Sequence, residues 1–356
     1  MIVRTLIVVA VIFAGLAAVL TRGREAIGEI LATTSMNDLV NGHFAERIDK
    51  AIFKAVPRSA TLDGAVAGLQ YRLLHDAGRQ VHAGCGNWLY AMEELGADKS
   101  DARNMKMRAE VLHRLVRLIK QLGAVLVVIP IPDKAEQVED QLCGLTATQS
   151  RRRDVFRKEL SQTDGVIVVD VKPDWPRPGY WHLDTHWDQS GARFAANRTA
   201  QAITAAIGAG QDQVRLSEGA WRDRTGDLVR LAGLTDAPAA LAPAPEQERD
   251  VKADIQHSGG LLDDTAEPSV ILAGSSFSLN SAFADYLQAA LSREVAQASE
   301  AGGGFAGALL GLLEKNPASL ANAKVIIWEW PMRSLTTPLS PLEQRFLAGS
   351  RGQAAE

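Results

Sequence analysis

The strongest constraint on this chain is a set of short apolar runs set between helical stretches. Ala124-Val125-Leu126-Val127-Val128-Ile129 is the first; Gly165–Val171, Ser269–Ala273 and Ala323–Pro331 repeat the theme. A strand with one wet face alternates in polarity, whereas an unbroken apolar run suits a strand buried on both faces of a parallel sheet. Between and before these runs lie helices. Val111, Leu112, Leu115, Leu118, Ile119 and Leu122 recur at helical spacing, and Gly123 follows as a C-terminal stop. A polar helix over about 146–162 leads into the second run. Strand, helix, strand predicts βαβ units and an α/β domain.

At 356 residues, 46% of them hydrophobic, the chain has room for one large α/β domain behind a helical preface. A formal charge of −4 without a basic block gives no nucleic-acid footprint. From Glu25 to Leu74 the pattern is mostly helical, with Phe44, Ile48, Ile52 and Phe53 spaced as one apolar stripe. Ahead of it an uncharged run extends from Thr5 to Thr21. That run is short of the ~20 residues that span a bilayer and longer than the ~7–15 of a cleaved signal core. It is read as an uncleaved anchor, with a cleaved signal peptide as the alternative; either exports the rest. The expected division is 1–24 anchor or signal, 25–75 helical preface, 76–340 main domain and 341–356 tail.

Cys85 and Cys143 are the only cysteines. In an exported chain they could pair, stabilising the fold by roughly 3–4 kcal/mol in the chain-entropy model, or remain two free thiols. No Cys/His spacing resembles a zinc site, and neither a metal nor a cofactor is expected.

Tyr180-Trp181-His182-Leu183-Asp184-Thr185-His186-Trp187 concentrates a carboxylate, two imidazoles and three large aromatics just before Asp188, which reads as the N-cap of a helix. In an extended segment residues two apart point the same way, so Asp184 could hold the His186 ring and fix its tautomer. Second, the run Ser269–Ala273 enters Gly274-Ser275-Ser276-Phe277-Ser278, where serines fall at the start of a helix through Phe283 and Leu287. Backbone N–H groups at such a start make a natural oxyanion hole. Together the two stretches supply the parts of a Ser-His-Asp acyl-transfer site. Each alone has a plainer reading, the serines as a polar helix start and Asp184/His186 as a structural pair.

Asp184-Thr185-His186-Trp187, the Gly274-x-Ser276-x-Ser278 turn, Trp88-Leu89, Pro132-Asp133-Lys134 and Trp328-Glu329-x-Pro331-x-Arg333-Ser334 resemble the SGNH-hydrolase-like domain of the alginate O-acetyltransferase family of AlgJ and AlgX. The likeness runs from about Phe44 to Leu335 and is closer to the AlgJ type, because no room is left for a C-terminal carbohydrate-binding module. It implies a three-layer α/β/α fold with a mostly parallel sheet, preceded by a membrane anchor and the helical preface. By the same resemblance Ser276 is the nucleophile, with Ser278 the next candidate, His186 the general base and Asp184 its orienting partner. The implied activity is periplasmic O-acetylation of an exported polysaccharide. A membrane-bound O-acyltransferase would supply the acetyl group, with further export proteins as partners.

For substrate contacts we read Trp181, Trp187 and Tyr180 as aromatics for a sugar ring, with Lys134 and Arg333 at the carboxyl ends of strands. The alternatives are core packing for the tryptophans and a solvated loop or helix cap for Asp133 and Lys134. Two other functions use the same parts: a carbohydrate acetylesterase, and a non-catalytic polysaccharide-binding or scaffold subunit of an export complex. Cys85-Gly86-Asn87 and the Ala/Pro-rich stretch 237–245 depart from the family pattern and leave the acceptor polymer open. The latter stretch is expected to be the least ordered part of the domain.

Overall fold

A computed structural model describes residue 13 and residues 15–55, 59–258, 268–315 and 317–349. The chain divides into two compact units, residues 1–66 and 67–356. In the smaller unit the helices Arg24–Thr33, Met36–Val40 and His43–Ala55 follow one another. Ser35 and Asp38 exchange side-chain and backbone hydrogen bonds as a capping box at the second helix. The stripe expected of Phe44, Ile48, Ile52 and Phe53 is not the buried face, because Ile52 and Phe53 are exposed while Ala51 and Ala55 are buried. A Cβ on Gly23 would lie 3.1 Å from that of Ala55, so the helices meet through their smallest side chains. Among the described residues no helix is long and apolar enough to cross a membrane. About half of the Thr5–Thr21 run read as an anchor falls outside them.

The larger unit contains strands β1 (Val81–Ala83), β2 (Leu89–Ala91), β3 (Val125–Ile131), β4 (Val166–Val168), β5 (Gln213–Arg224), β6 (Glu246–Gln256), β7 (Val270–Ala273), β8 (Ala296–Gln297) and β9 (Val325–Pro331). Five of them form one sheet in the order β4-β3-β9-β7-β8, every neighbour parallel. Period-two alternation then divides the apolar runs between two cores. Val127, Ile129, Val270, Leu272, Val325 and Ile327 face one, with the helices Gln189–Ile207 and Phe283–Leu291. Leu126, Val128, Ile271, Ile326 and Trp328 face the other, with the helices Asp101–Gln121 and Gly307–Lys315. This is the three-layer α/β/α sandwich the resemblance implied, and unbroken runs were its signature because both faces are dry.

Local details differ from expectation. The single helix over 146–162 is two, Thr148–Arg152 and Asp154–Ser161, and Arg153 between them turns its guanidinium inward to pair with Asp133. Cys85 and Cys143 are disulfide-bonded. The stretch 237–245, expected to be poorly ordered, folds into turns, and the Arg72 guanidinium donates to the carbonyls of Leu241 at 3.2 Å and Ala242 at 2.9 Å. It joins β5 and β6, a long antiparallel arm that the apolar pattern did not announce. At the C-terminus the helix Pro341–Gly349 is tied down by a buried Arg108–Glu343 ion pair.

Candidate active site

The serine turn grows directly out of β7. A Cβ on Gly274 would sit 2.6 Å from Ser278 Oγ and 2.7 Å from Ser278 Cβ, so glycine is needed there for close approach rather than for an unusual backbone angle. Ser275 caps the short helix Ser276–Leu279 by accepting from the Phe277 amide at 3.1 Å. Beneath the turn lies Glu329 of β9, 1% exposed, one residue beyond the partner of Ala273 in the register. Its carboxylate accepts four hydrogen bonds: from the Ser275 amide (2.8 Å) and hydroxyl (2.8 Å), and from the Ser278 amide (3.3 Å) and hydroxyl (2.6 Å). Burial raises the pKa of Glu329, and those four donors work against that rise.

Ser276 is left as the free hydroxyl of the turn. Ser278, the second candidate nucleophile, is fully buried and committed to Glu329. The oxyanion hole is narrower than a row of helix-start amides, since Glu329 and Ser275 take three of them. Among the described residues the Ser276 amide makes no hydrogen bond within the chain and is the one left to face a developing oxyanion.

The Asp184/His186 loop is a turn rather than the extended segment the spacing suggested. Tyr180 and Trp187 pair as an isolated antiparallel bridge, and Trp181 N–H donates to the His186 carbonyl at 3.3 Å. Asp184 Oδ1 accepts from both the His186 amide (2.9 Å) and His186 Nδ1 (2.5 Å). A carboxylate bonded to its own backbone two residues on is the local geometry of an Asx turn. With Nδ1–H held by Asp184, Nε2 carries the lone pair, and it lies 2.8 Å from Ser276 Oγ. Burial works against the charge on Asp184, but the His186 hydrogen bonds and then the Arg224 guanidinium outweigh it, holding the carboxyl well below the usual range. Arg224 Nη2 donates to Asp184 Oδ2 at 2.9 Å.

The backbone of this loop is held at several points. Lys134 Nζ donates to the carbonyls of Leu89 (2.6 Å), His182 (2.8 Å) and Asp184 (3.0 Å). The Glu246 carboxylate receives the amides of His182 (2.8 Å) and Leu183 (2.9 Å), and Asp227 receives the amide (2.7 Å) and hydroxyl (2.6 Å) of Thr185. Gly226 packs so closely that an added Cβ would lie 1.9 Å from the Leu183 carbonyl oxygen. Gly226→Ala is therefore expected to cost about 2–3 kcal/mol of stability, and urea unfolding at neutral pH measures it. A variant as stable as the parent would mean that the loop can yield there without strain.

The expected substrate contacts separate accordingly. Trp187 is buried in the core, its Nε1–H donating to the Phe277 carbonyl at 3.0 Å, and Tyr180 is buried with its hydroxyl on the Pro132 carbonyl. Neither can stack on a sugar. Lys134 is 1% exposed and bonded to backbone carbonyls, and burial lowers it to about 8; it positions the loop rather than touching substrate. Arg333 is likewise engaged, with Glu94 at 3.3 Å and the Thr185 hydroxyl at 3.2 Å. Trp181 lines a cleft of about 370 Å³ beside the triad, together with Arg224 and Leu279–Ala282, the turn that follows Ser276; Trp187 borders the same cleft, but its side chain is buried. The sequence assigned no role to Arg224, Asp227 or Glu246, nor to Glu329, although Glu329 stands in one of the motifs that carry the resemblance. The one signal was Glu329 within an apolar run, where a charge demands a partner.

Asp184, His186 and Asp227 bring possible metal-ligand atoms within 4.8 Å of one another. Those atoms are already occupied: His186 Nδ1 by Asp184, Asp184 by the Arg224 cation and Asp227 by Thr185. A guanidinium at 2.9 Å competes with any cation placed there.

Residues 81–332 match the model of the SGNH hydrolase-like domain of the acetyltransferase AlgX. The chain belongs to that family. Among its relatives, the probable alginate O-acetylase AlgJ of Pseudomonas putida is 26% identical over 335 residues, covering 88% of this chain and 86% of that protein. The corresponding AlgJ of Pseudomonas aeruginosa is 24% identical, covering 83% and 81%. The solved O-acetyltransferase domain of P. putida AlgJ superposes with a TM-score of 0.67 at 22% identity, over 77% of this chain and all of that one. P. aeruginosa AlgX gives 0.52 at 19%, over 71% and 62%. As an AlgX-type SGNH hydrolase-like protein, this chain has the α/β fold of an acetyltransferase domain, and its candidate triad stands at the carboxyl end of the sheet.

Proposed function

We propose that the chain is a polysaccharide O-acetyltransferase working through an acetyl-serine. The observation that carries this is Ser276 Oγ at 2.8 Å from His186 Nε2, with Asp184 bonded behind the ring. In the first half-reaction Ser276 Oγ attacks the carbonyl carbon of an acetyl donor while His186 Nε2 takes the hydroxyl proton. The tetrahedral oxyanion faces the Ser276 amide, and its collapse expels the donor's leaving group, which takes the proton from His186. In the second half, a sugar hydroxyl gives its proton to His186 and attacks the acetyl carbon. Ser276 Oγ leaves as the acetyl–sugar bond forms and recovers the proton.

Asp184, itself held by Arg224, keeps the proton on Nδ1 and the ring in place, so Nε2 is the atom that takes and returns the proton. The acceptor is a polysaccharide; alginate is the polymer for which the relatives are named. The reading further places the chain in the periplasm, held to the inner membrane through its N-terminus beside other export proteins and supplied with acetyl groups by a membrane-bound O-acyltransferase. These expectations rest on the family likeness and on the apolar run from Thr5 to Thr21.

Intact-mass spectrometry of the full chain after p-nitrophenyl acetate tests the acyl step, and acetyl gain by added polymer tests the transfer. An acetyl adduct that passes to the polymer is the expected result. Rapid loss of the adduct to water, with no acetylated polymer, would make the protein an esterase instead.

A further inference from the structure

The β5–β6 arm carries a feature that the triad does not use. Trp221 is 58% exposed, on a strand whose other side chains are mostly charged or polar. The register of β5 against β6 shifts between Glu218 and Trp221, an irregularity of the kind that re-aims side chains next to binding sites. Arg249 stacks over the indole at 4.6 Å from its centroid. Trp221 lines a second cleft, of about 450 Å³, which shares Gln189 and Arg249 with the cleft beside the triad. The two clefts thus adjoin, leading from the exposed indole toward Trp181 and the turn after Ser276.

The charges along this path are balanced. Four arginines and four carboxylates line the two clefts. Arg222 pairs with Glu248 at 2.9 Å and Asp250 at 2.8 Å, and Arg224 pairs with Glu248 at 2.8 Å. Arg249 and Arg193 both reach Glu218, at 2.7 Å and 3.8 Å. A polyuronate brings one carboxylate per sugar, and here each cation it would meet already has a carboxylate partner. Binding it would break those pairs or place like charges together. An uncharged sugar meets no such repulsion: its C–H face can lie on an indole, and its hydroxyls can donate to carboxylates and accept from guanidiniums.

We propose that this groove is the acceptor subsite, that Trp221 is its stacking platform, and that the acceptor it takes is an uncharged hexopyranose polymer rather than a polyuronate. The proposal rests on the reading of the chain as a polysaccharide O-acetyltransferase and names the acceptor class of that site. Calorimetric titration of the full chain with cellohexaose, β-1,4-mannohexaose and hexamannuronate tests it. At least one neutral hexasaccharide binds about tenfold or more tighter than hexamannuronate. Its affinity holds steady as salt rises from about 50 to about 500 mM, because no ion pairs form. Trp221→Ala weakens that binding roughly tenfold, and Trp221→Phe, which keeps an aromatic face, recovers most of it. The proposal is overturned if hexamannuronate binds tighter and salt weakens it, if neither neutral hexasaccharide binds, or if Trp221→Ala binds unchanged. Acetyl-serine formation from p-nitrophenyl acetate, read on the unaltered chain, keeps the two readings apart. An adduct without neutral-sugar binding sinks the groove alone, whereas the absence of any adduct sinks the transferase reading itself.

Discussion

Ser276→Ala abolishes the acetyl adduct, and His186→Ala lowers its rate of formation by about 10³-fold or more. The two sizes follow from different losses. Without Ser276 Oγ there is no atom to acylate: Ser275 and Ser278 both donate to Glu329, and Ser278 is fully buried. Without His186 the hydroxyl remains, but nothing takes its proton as it attacks, and a neutral alcohol is a weak nucleophile. Because serine and histidine act as one unit, the double variant is expected to be no slower than Ser276→Ala, far from the product of the separate effects. Asp184→Asn leaves the turn's shape but presents the wrong partner to Nδ1, with a loss on the order of 10⁴ if the tautomer flips. Single-turnover release of nitrophenol with intact-mass detection reads all of these. An adduct that persists on Ser276→Ala at the parent rate would move the nucleophile elsewhere and dismantle the proposed mechanism.

The second large effect is expected at a residue that touches no substrate. Glu329→Ala strips four hydrogen bonds from beneath the serine turn and leaves the Ser275 and Ser278 amides buried with no acceptor. At about 1–3 kcal/mol for each unsatisfied buried donor, the fold loses on the order of 4 kcal/mol. The turn that aims Ser276 then relaxes, and misplacement by about an ångström costs a reaction of this kind about 100-fold. Glu329→Gln keeps the volume but replaces one accepting oxygen with a donor facing other donors, so it should fall between parent and alanine. Urea unfolding gives the stability term, and the split between kcat and KM for p-nitrophenyl acetate gives the positional one. A positioning role predicts a kcat loss at nearly constant KM in whichever variant remains folded. Equal stability and activity in all three proteins would reduce Glu329 to a bystander.

The parallel sheet was readable because its strands are dry on both faces, and Val127 or Ile326 needs no distant information to be recognised as core. The helix after Asp188 was equally local, since its cap is made within three residues: the Asp188 carboxylate accepts from the amides of Ser190 and Gly191. The β5–β6 arm escaped notice for the converse reason. β5 faces solvent along most of its length and β6 begins with five charged or polar residues, so the period-two signal survives only in the short run Val251, Ala253, Ile255.

The sequence by itself determined the sheet, its two flanking layers and the residue types of the triad, since hydrophobic period and short-range spacing are properties of neighbours in the chain. Tertiary structure alone decided which hydroxyl is free, which tryptophan is wet and which carboxylates hold the loops. Glu329 lies 51 to 54 positions from the serines it grips, and Arg224 lies 40 from Asp184. A charged side chain carries no mark of the partner that will neutralise it. Only the sheet register and the folding back of the arm bring those partners within hydrogen-bonding distance, and there burial makes the pairing obligatory.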